Sequence, residues 1–262
     1  MRVITLLNEK GGVGKTTLAT HIAMGLAHRG HRVILLDMDI QSHATLALGE
    51  EFGGGLYDLI VRYEKWEDVL RIIPPDRYAE PDAIGNAQGV LALVPSNAET
   101  RNIPEMREND YVLVNRIKEL EGRVDFVIID TAPSASVMHT MAYLASDYVL
   151  YPTECQFLSM NGLASSIERR NIAPQQLAHI KAKTLGIIPT KYRSSTAEQK
   201  ENLAILREEY GDLVWRPLAM RTIWSEAAPT SSAVWLLDHN SKAARDIEHV
   251  LNRIEGVVLN GQ

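Results

Sequence analysis

A glycine-rich run near the N-terminus carries the residue types that bind a nucleotide phosphate. Glycines let the backbone turn its N–H groups around an anion, and a helix that begins there presents its positive end to the same anion. In such a loop Lys15 reaches the β- and γ-phosphates, and the Thr16 hydroxyl ligates Mg²⁺. The sequence therefore predicts a site for ATP and Mg²⁺, with the nucleotide-binding residues Lys10, Gly11, Gly12, Val13, Gly14, Lys15, Thr16 and Thr17.

This loop departs from the general pattern G-x-x-x-x-G-K-[ST] in one informative way. Glu9 stands where that pattern has its first glycine, and Lys10 adds a second lysine directly before the glycines. The alternative interpretation is a glycine-rich turn with two solvated lysines. We set it aside because apolar, β-branched residues 3–7 precede the run and residues 18–27 follow it with apolar side chains at helical spacing. That arrangement predicts strand, loop and helix.

Carboxylates end two further apolar segments. Asp37 and Asp39 follow residues 33–36, and Asp130 follows residues 126–129. In a doubly wound sheet ligands collect at the carboxyl ends of the strands, so we expect Asp37 and Asp39 to face the phosphates and the metal ion. Asp130 looks like the acid that holds Mg²⁺, through a water molecule. A surface turn after a strand is the alternative interpretation for Asp39.

The rest of the chain predicts the elements that position these residues. Strand and helix patterns alternate along the whole length, which predicts an α/β fold with a doubly wound, mostly parallel sheet, helices on both faces, and a single domain over residues 1–262. Further strands are expected at residues 32–36, 89–94, 124–129, 148–151, 183–188 and 213–215. Helices are expected at 18–27, 56–61, 66–72, 111–121, 158–167 and 241–254, with a surface loop at 74–86.

Composition is ordinary for a globular protein. Hydrophobic residues make up 45% and charged residues 23% of the 262 positions, and no run of 18 apolar residues occurs. Since the N-terminus enters a strand at Arg2 rather than a signal peptide, we expect a cytoplasmic protein. The single cysteine, Cys155, has no partner for a disulfide and is expected to be a packing residue.

The net charge of −6 argues against a constitutively basic nucleic-acid binder, but the charge is unevenly spread. Residues 181–221 contain eight lysines and arginines against five aspartates and glutamates. Such a surplus doubles when two copies lie side by side, and each phosphate contact adds salt-sensitive affinity for DNA. Solvated helix faces are the alternative explanation. The candidate DNA-binding residues are Lys191, Arg193, Lys200, Arg207 and Arg221.

Three segments together resemble a known family. The run at 10–17 is similar to the deviant Walker A motif K-G-G-x-G-K-[ST]. The segment Asp37-Met38-Asp39-Ile40-Gln41 resembles D-x-D-P-Q, and Asp130-Thr131-Ala132-Pro133-Ser134 resembles D-T-P-P-S. On these motifs the chain resembles the ParA/Soj-like partition ATPases of the ParA/MinD family, over nearly its whole length.

The resemblance implies an ATP-dependent homodimer with two ATP molecules between the subunits. In that family the first lysine, here Lys10, reaches the nucleotide of the partner subunit. The second aspartate, here Asp39, orients the attacking water, while Lys15 neutralises phosphate charge. The catalytic residues implied are therefore Lys10, Lys15 and Asp39. The resemblance also implies binding to nonspecific double-stranded DNA, association with the nucleoid, and a ParB-like or other cargo adaptor that stimulates hydrolysis.

The same resemblance suggests a base pocket and shows departures from the family. Thr190 and Pro217 occupy positions that suggest contact with the adenine. The departures are Ile40 for a proline, Ser42-His43 for Gly-Asn, Gln156 and Asn161 for two glutamates, and Arg193 for an acid.

The main competitor to DNA-dependent partition is the positioning of another cargo by the same DNA-bound mechanism. Two alternatives from other classes also remain. The first is a MinD-like positioning ATPase on a membrane, against which we note that the charges of residues 241–262 do not form a basic amphipathic tail. The second is a metabolic or maturation enzyme on the same scaffold. A nitrogenase-reductase-like protein would need cluster-ligating cysteines, which one cysteine does not supply. An amidoligase would usually carry a glutaminase domain, for which the length leaves no room.

Overall fold

The structure is a computed structural model. It describes residues 1–80, 89–133, 136–176 and 181–260. Residues 81–86 of the predicted surface loop and Ser134 of the third motif lie outside the described residues.

A seven-stranded sheet runs through the described residues and is parallel except at one edge. Its order is β3-β4-β2-β5-β1-β6-β7, and only β3 pairs in the antiparallel sense, with β4. This arrangement confirms the predicted α/β fold. The strands are β1 (Arg2–Leu6), β2 (Arg32–Asp37), β3 (Arg71–Ile72), β4 (Val90–Val94), β5 (Phe126–Asp130), β6 (Tyr148–Glu154) and β7 (Lys183–Thr190).

Helices lie between most consecutive strands, and four more follow the last strand in the described parts. In the described parts they are α1 (Lys15–His28), α2 (His43–Ala47), α3 (Leu56–Ile60), α4 (Trp66–Val69), α5 (Ile103–Met106), α6 (Val112–Lys118), α7 (Val137–Ala145), α8 (Phe157–Gln176), α9 (Ala197–Tyr210), α10 (Ile223–Thr230), α11 (Val234–Leu237) and α12 (Lys242–Asn260).

The central strand β5 shows why helices cover both faces of the sheet. All five of its residues are buried. Because successive side chains of a strand point to opposite faces, Phe126 and Ile128 enter a core shared with α1 and α12, whereas Val127 and Ile129 enter a second core shared with α6 and α7. The continuous apolar run therefore corresponds to a strand that is covered on both sides.

Two predicted elements differ from the structure. The strand expected at 213–215 is absent, because a 3-10 turn occupies Gly211–Leu213 and Val214 makes only an isolated bridge to Ile187. Pro217 has no N–H to extend a ladder. The helix expected at 66–72 ends at Val69, after which Leu70 is extended and β3 begins.

The register of the sheet brings the predicted acids to one edge. Leu6 at the end of β1 lies beside Asp130, and Asp130 in turn lies beside Asp37 at the end of β2. The loop that follows β1 therefore begins next to both carboxylates. This edge is where the doubly wound topology is expected to place a ligand.

Candidate nucleotide-binding site

The loop between β1 and α1 has the backbone conformation of a phosphate cradle. Gly12 and Gly14 have φ angles of 78° and 87°, in the left-handed region that favours glycine. Gly14 is also the N-cap of α1, whose first residue is Lys15. The positive end of a 14-residue helix therefore opens directly onto the loop.

Lys15 is folded back against the loop that precedes it. Its ammonium donates hydrogen bonds to the carbonyl oxygens of Asn8, at 2.9 Å, and Lys10, at 3.1 Å. Burial lowers the pKa of Lys15, and the nearby carboxylates of Asp130 and Asp39 oppose that shift. The side chain is thus a nearly buried cation at the floor of the loop, which is the position from which an anion would be neutralised.

Two residues at the end of β7 hold the other side of the loop. The Thr190 hydroxyl donates to the carbonyl of Val13, at 2.8 Å, and the Lys191 ammonium donates to the carbonyl of Gly12, at 2.5 Å. Thr190 is buried and bonds backbone here, so its hydroxyl supports the loop. These contacts cross 177 and 179 positions of sequence.

The proposed metal ligands meet at the start of α1. The Thr16 hydroxyl donates to Oδ2 of Asp130 at 2.7 Å. Asp130 is fully buried, and its Oδ1 has no hydrogen-bond partner among the described residues. Burial, reinforced by the charge of Asp37, raises the pKa of Asp130 well above its usual value. A hydroxyl beside an unsatisfied buried carboxylate oxygen fits Mg²⁺, which prefers hard oxygen ligands and keeps several waters.

The two acids after β2 have different surroundings. Asp37 is fully buried and accepts hydrogen bonds from the backbone N–H and hydroxyl of Thr45, at 2.8 and 2.7 Å, and from the Asp39 N–H at 3.0 Å. Burial raises the pKa of Asp37 to about 6. Asp37 is not among the residues that line the cavity next to the phosphate loop, and its carboxylate fixes the turn that carries Asp39. Its facing the phosphates stays a prediction.

Asp39 lies at the wall of the cavity next to the phosphate loop. Its Oδ1 accepts from the Gln41 N–H at 2.9 Å, and its Oδ2 lies 3.1 Å from Nδ1 of His43. Asp39, Gln41 and His43 all line that cavity. Because His43 is mostly exposed, the acid is held at a wall that opens to solvent.

Lys10, at the start of the loop, is exposed. Its ammonium has no hydrogen bond or ion pair with any residue in the described ranges. Its backbone N–H donates to Oδ1 of Asn8 at 2.9 Å, and Gly162 of α8 packs closely against it. A Cβ atom on Gly162 would lie 3.2 Å from Lys10 Cβ, so the glycine permits α8 to approach the loop.

Two adjoining cavities surround the phosphate loop. The first, of about 450 Å³, is lined by the loop, Asp39, Lys191 and Trp224 among others. The second, of about 290 Å³, is lined by Thr17, Thr190, Lys191, Trp224 and residues 218–221. The second cavity offers a mainly apolar wall beside the loop, where a base could lie. Pro217 is outside both linings, and the adjacent residues 218–220 form the wall instead.

The five candidate DNA residues do not share one environment. Lys191 lies against the phosphate loop, and Arg221 lines the second cavity with an ion-pair distance of 3.6 Å to Asp246. Arg193 contacts the sulfur of Met220, whereas Lys200 and Arg207 are exposed on α9. DNA contact by these residues stays a prediction, and the structure offers it most directly for the two exposed side chains of α9.

Two site residues were not predicted from the sequence as part of the site. The first is Trp224, which lines both cavities. Glu154, at the end of β6, forms an ion pair with Lys191 at 3.1 Å. The available signal was that Glu154 lies three positions after the predicted strand 148–151, near the edge of the sheet where a ligand is expected.

No helix in the described residues combines the length and the apolar character that a membrane span requires.

Comparison with known proteins places these features in context. The sequence matches the AAA domain family over residues 1–181. Cell division protein PomZ of Myxococcus xanthus is 29% identical over 253 residues, which cover 95% of this chain and 76% of that protein. Sporulation initiation inhibitor protein Soj of Bacillus subtilis is 27% identical over 265 residues, which cover 99% of each.

Solved structures share the fold over almost the full length. Apo McdA of Cyanothece superposes with a TM-score of 0.83 at 22% identity, covering 97% of this chain and 99% of that one. Cobyrinic acid a,c-diamide synthase of Mycobacterium smegmatis, with bound ADP and magnesium, gives 0.81 at 24% identity, covering 100% and 96%. At these identities the likeness shows a common fold.

Proposed function

The chain belongs to the AAA-domain family of ParA/MinD-like partition ATPases, and we propose on that premise that it is a Mg²⁺-dependent ATPase of the ParA type. In this proposal ATP drives formation of a homodimer that binds nonspecific DNA at the nucleoid. A ParB-like or other cargo adaptor then stimulates hydrolysis, which releases the protein from DNA. Hydrolysis thereby serves as a positional signal.

One observation carries the proposal: an exposed lysine without a partner in the described chain stands beside a preorganised phosphate loop that already has its own lysine. The Lys15 ammonium donates to the carbonyls of Asn8 and Lys10, whereas the Lys10 side chain is exposed. An exposed lysine side chain such as that of Lys10 contributes little to the stability of the protein by itself. A nucleotide bound to a second copy of the chain gives the Lys10 ammonium an anionic partner.

Exposed apolar residues on the helix that approaches Lys10 support the same dimer. Phe157 and Leu158, in the first turn of α8, are 69% and 64% exposed. The same helix approaches Lys10 through Gly162. Large exposed apolar side chains are typical of a surface that a partner covers. The proposed partner is a second copy.

The chain's own residues have separate parts in the proposed hydrolysis. Lys15 neutralises phosphate charge, and Asp39 orients the water that attacks the terminal phosphate. Thr16 and Asp130 would hold Mg²⁺, Asp130 through water. A bound Mg²⁺ supplies charge stabilisation to the phosphates. Thr17 and the wall formed by residues 218–220 would enclose the base.

DNA binding that depends on nucleotide state tests the proposal. Wild-type protein should bind unrelated duplexes with ATP and Mg²⁺ and not with ADP, and its affinity should fall steeply as salt rises. Lys200→Ala and Arg207→Ala should each reduce the salt slope by about one unit. Equal DNA binding with ATP and ADP, or no binding with either, would contradict the DNA part of the proposal.

The MinD-like alternative requires a membrane-binding element. The long helix α12 does not offer its apolar side, because Ile247, Val250 and Leu251 are buried in the core. Leu251 packs closely against Gly25 of α1, where an added Cβ atom would require the leucine side chain to shift. ATP-dependent sedimentation with anionic vesicles would favour this alternative if the same protein does not bind DNA.

The alternative of a metabolic enzyme has a separate test. ATP hydrolysis that requires a carboxylic acid and an ammonia donor would favour an amide-forming enzyme.

A further inference from the structure

Two consecutive residues, the last of β7 and the one that follows it, donate hydrogen bonds to two consecutive carbonyl groups of the phosphate loop. Thr190 donates to Val13 and Lys191 donates to Gly12. The charge of Lys191 alone suggests that it binds DNA. Its position in the structure directs its ammonium back to the nucleotide site.

The direction of Lys191 is fixed on both sides. Lys191 has a φ angle of 49°, in the left-handed region that turns the chain sharply at the strand end. The next residue, Tyr192, donates its N–H to the Leu218 carbonyl at 3.0 Å and exchanges bridge contacts with Ala219. The backbone around Lys191 is therefore held between the phosphate loop and the wall of the second cavity.

A carboxylate completes the arrangement. Oε1 of Glu154 lies 3.1 Å from the Lys191 ammonium, and the Glu154 side chain is only 18% exposed. The ammonium thus has a charged partner on β6 and a carbonyl partner on the loop. Both contacts direct it inward, although the lysine side chain as a whole is 46% exposed.

Peptide geometry connects this contact to anion binding. In a trans peptide the C=O and the following N–H point in opposite directions. A side chain that holds the Gly12 carbonyl therefore aims the Val13 N–H the other way, and the Thr190 contact does the same for the Gly14 N–H. A cation on the carbonyl also polarises the peptide, which makes its N–H a better donor to an anion.

We propose that Lys191 is a positioning residue of the nucleotide site: with Glu154 orienting its ammonium, it holds the Gly12 carbonyl so that the loop's N–H groups are preorganised for the nucleotide phosphates. The proposal rests on the proposed function for the nucleotide itself. It assigns Lys191 to phosphate binding rather than to DNA, and it gives Glu154 a role.

Lys191→Met tests the assignment, with Lys191→Arg as the conservative variant and Lys183→Met as the matched control. Lys183 is an exposed lysine at the other end of the same strand. Calorimetry should measure the affinity of each protein for ATP and for adenosine, which lacks phosphates. DNA binding should be measured as a function of salt, at ATP concentrations that saturate each variant.

We expect Lys191→Met to weaken ATP binding about tenfold, the loss of one charge-assisted hydrogen bond, without changing adenosine binding. KM for ATP should rise more than kcat falls, and Lys191→Arg should recover part of the loss. Lys183→Met should bind ATP normally. Glu154→Gln should weaken ATP binding less than Lys191→Met does, because a neutral amide orients the ammonium less strongly.

Three results would overturn the assignment. Unchanged ATP affinity in Lys191→Met would remove the residue from the nucleotide site. A DNA salt slope reduced by about one unit at saturating ATP, with unchanged ATP affinity, would return it to DNA contact. Tighter ATP binding in Glu154→Gln would show that the carboxylate opposes binding. If wild-type protein fails to bind ATP, the proposed function itself is wrong, which is a separate outcome from any defect of the variants.

Discussion

The Thr16 hydroxyl and the Asp130 carboxylate join the start of α1 to the end of β5 through a hydrogen bond of 2.7 Å. The other oxygen of this buried carboxylate has no hydrogen-bond partner in the described chain. An ionised carboxylate removed from water is costly unless it is fully paired. Burial of this carboxyl group therefore lowers the stability of the free protein, while its unpaired oxygen is available as a ligand.

Asp130→Asn should separate these two effects. Without nucleotide, the free energy of unfolding should rise by at least about 1 kcal/mol, because an amide does not carry the cost of burying an ionisable carboxyl group. The additional stabilisation that Mg²⁺ gives in the presence of ATP should be lost. Denaturant unfolding with and without Mg²⁺ and ATP measures both. A variant that is less stable alone and keeps its response to Mg²⁺ would contradict the metal assignment.

Lys10→Ala should bind ATP but fail to form the ATP-dependent dimer. The exposed Lys10 ammonium contributes little to its own loop, whereas the proposed cross-subunit contact depends on it. Light scattering after size exclusion, in ATP and in ADP, measures the mass of each state. Lys183→Ala serves as a control that keeps the dimer. A Lys10→Ala protein that dimerises normally with ATP would leave Lys10 as a solvated side chain.

Asp39→Ala should bind ATP and remain dimeric, while hydrolysis falls by about a hundredfold or more. The reason is that Asp39 lies at the wall of the first cavity, whereas the Asp37 carboxylate accepts a hydrogen bond from the Thr45 hydroxyl. Single-turnover phosphate release measures the rate. The matched control is Asp68→Ala, an exposed acid on α4. Normal turnover in Asp39→Ala would remove this residue from its proposed role.

Tryptophan fluorescence should report ATP binding through Trp224, which lines both cavities. We expect ATP to change the emission of wild-type protein, and Trp224→Phe to lose most of that change. Trp66→Phe should retain it, because Trp66 lies in the core that surrounds α4 and bonds the Arg116 carbonyl. The same signal in Trp224→Phe as in wild type would place the base elsewhere.

His21 should make the fold sensitive to acid. Burial lowers the pKa of His21 to about 4, although its hydrogen bond to the Thr17 carbonyl opposes the shift. The unfolded chain takes up this proton below about pH 6.5, whereas the folded chain does so only near pH 4. Stability is therefore fully present above about pH 6.5 and declines as pH falls toward 4, by up to about 3 kcal/mol.

The variant His21→Gln isolates this effect. It should be less stable at pH 7, because the contacts of the ring with Thr17 and Val234 are lost, but its stability should vary less between pH 4 and 6.5. Asp37, whose raised pKa acts in the opposite direction, is present in both proteins and cancels in the comparison. The exposed His239 provides the control variant His239→Gln. Parallel pH curves for His21→Gln and wild type would contradict the assignment.

The sequence by itself determined the phosphate loop, the α/β class and the strand ends at which the acids lie. Each of these depends on local physics. Glycine permits left-handed backbone at Gly12 and Gly14, and an unbroken apolar run such as 126–129 is stable as a strand only when covered on both faces. The element boundaries that differed, at 66–72 and 213–215, depend on sheet partners far away in sequence.

Only the tertiary structure decided what each charged side chain does. Asp37 and Asp39 are the same residue type two positions apart. Asp37 accepts a hydrogen bond from Thr45, whereas Asp39 lines the cavity. Lys191 carries the charge of a DNA contact, but a left-handed turn and Glu154 direct it to a loop 179 residues earlier. The direction of a side chain follows from the partners that folding brings near it, and a sequence pattern does not contain those partners.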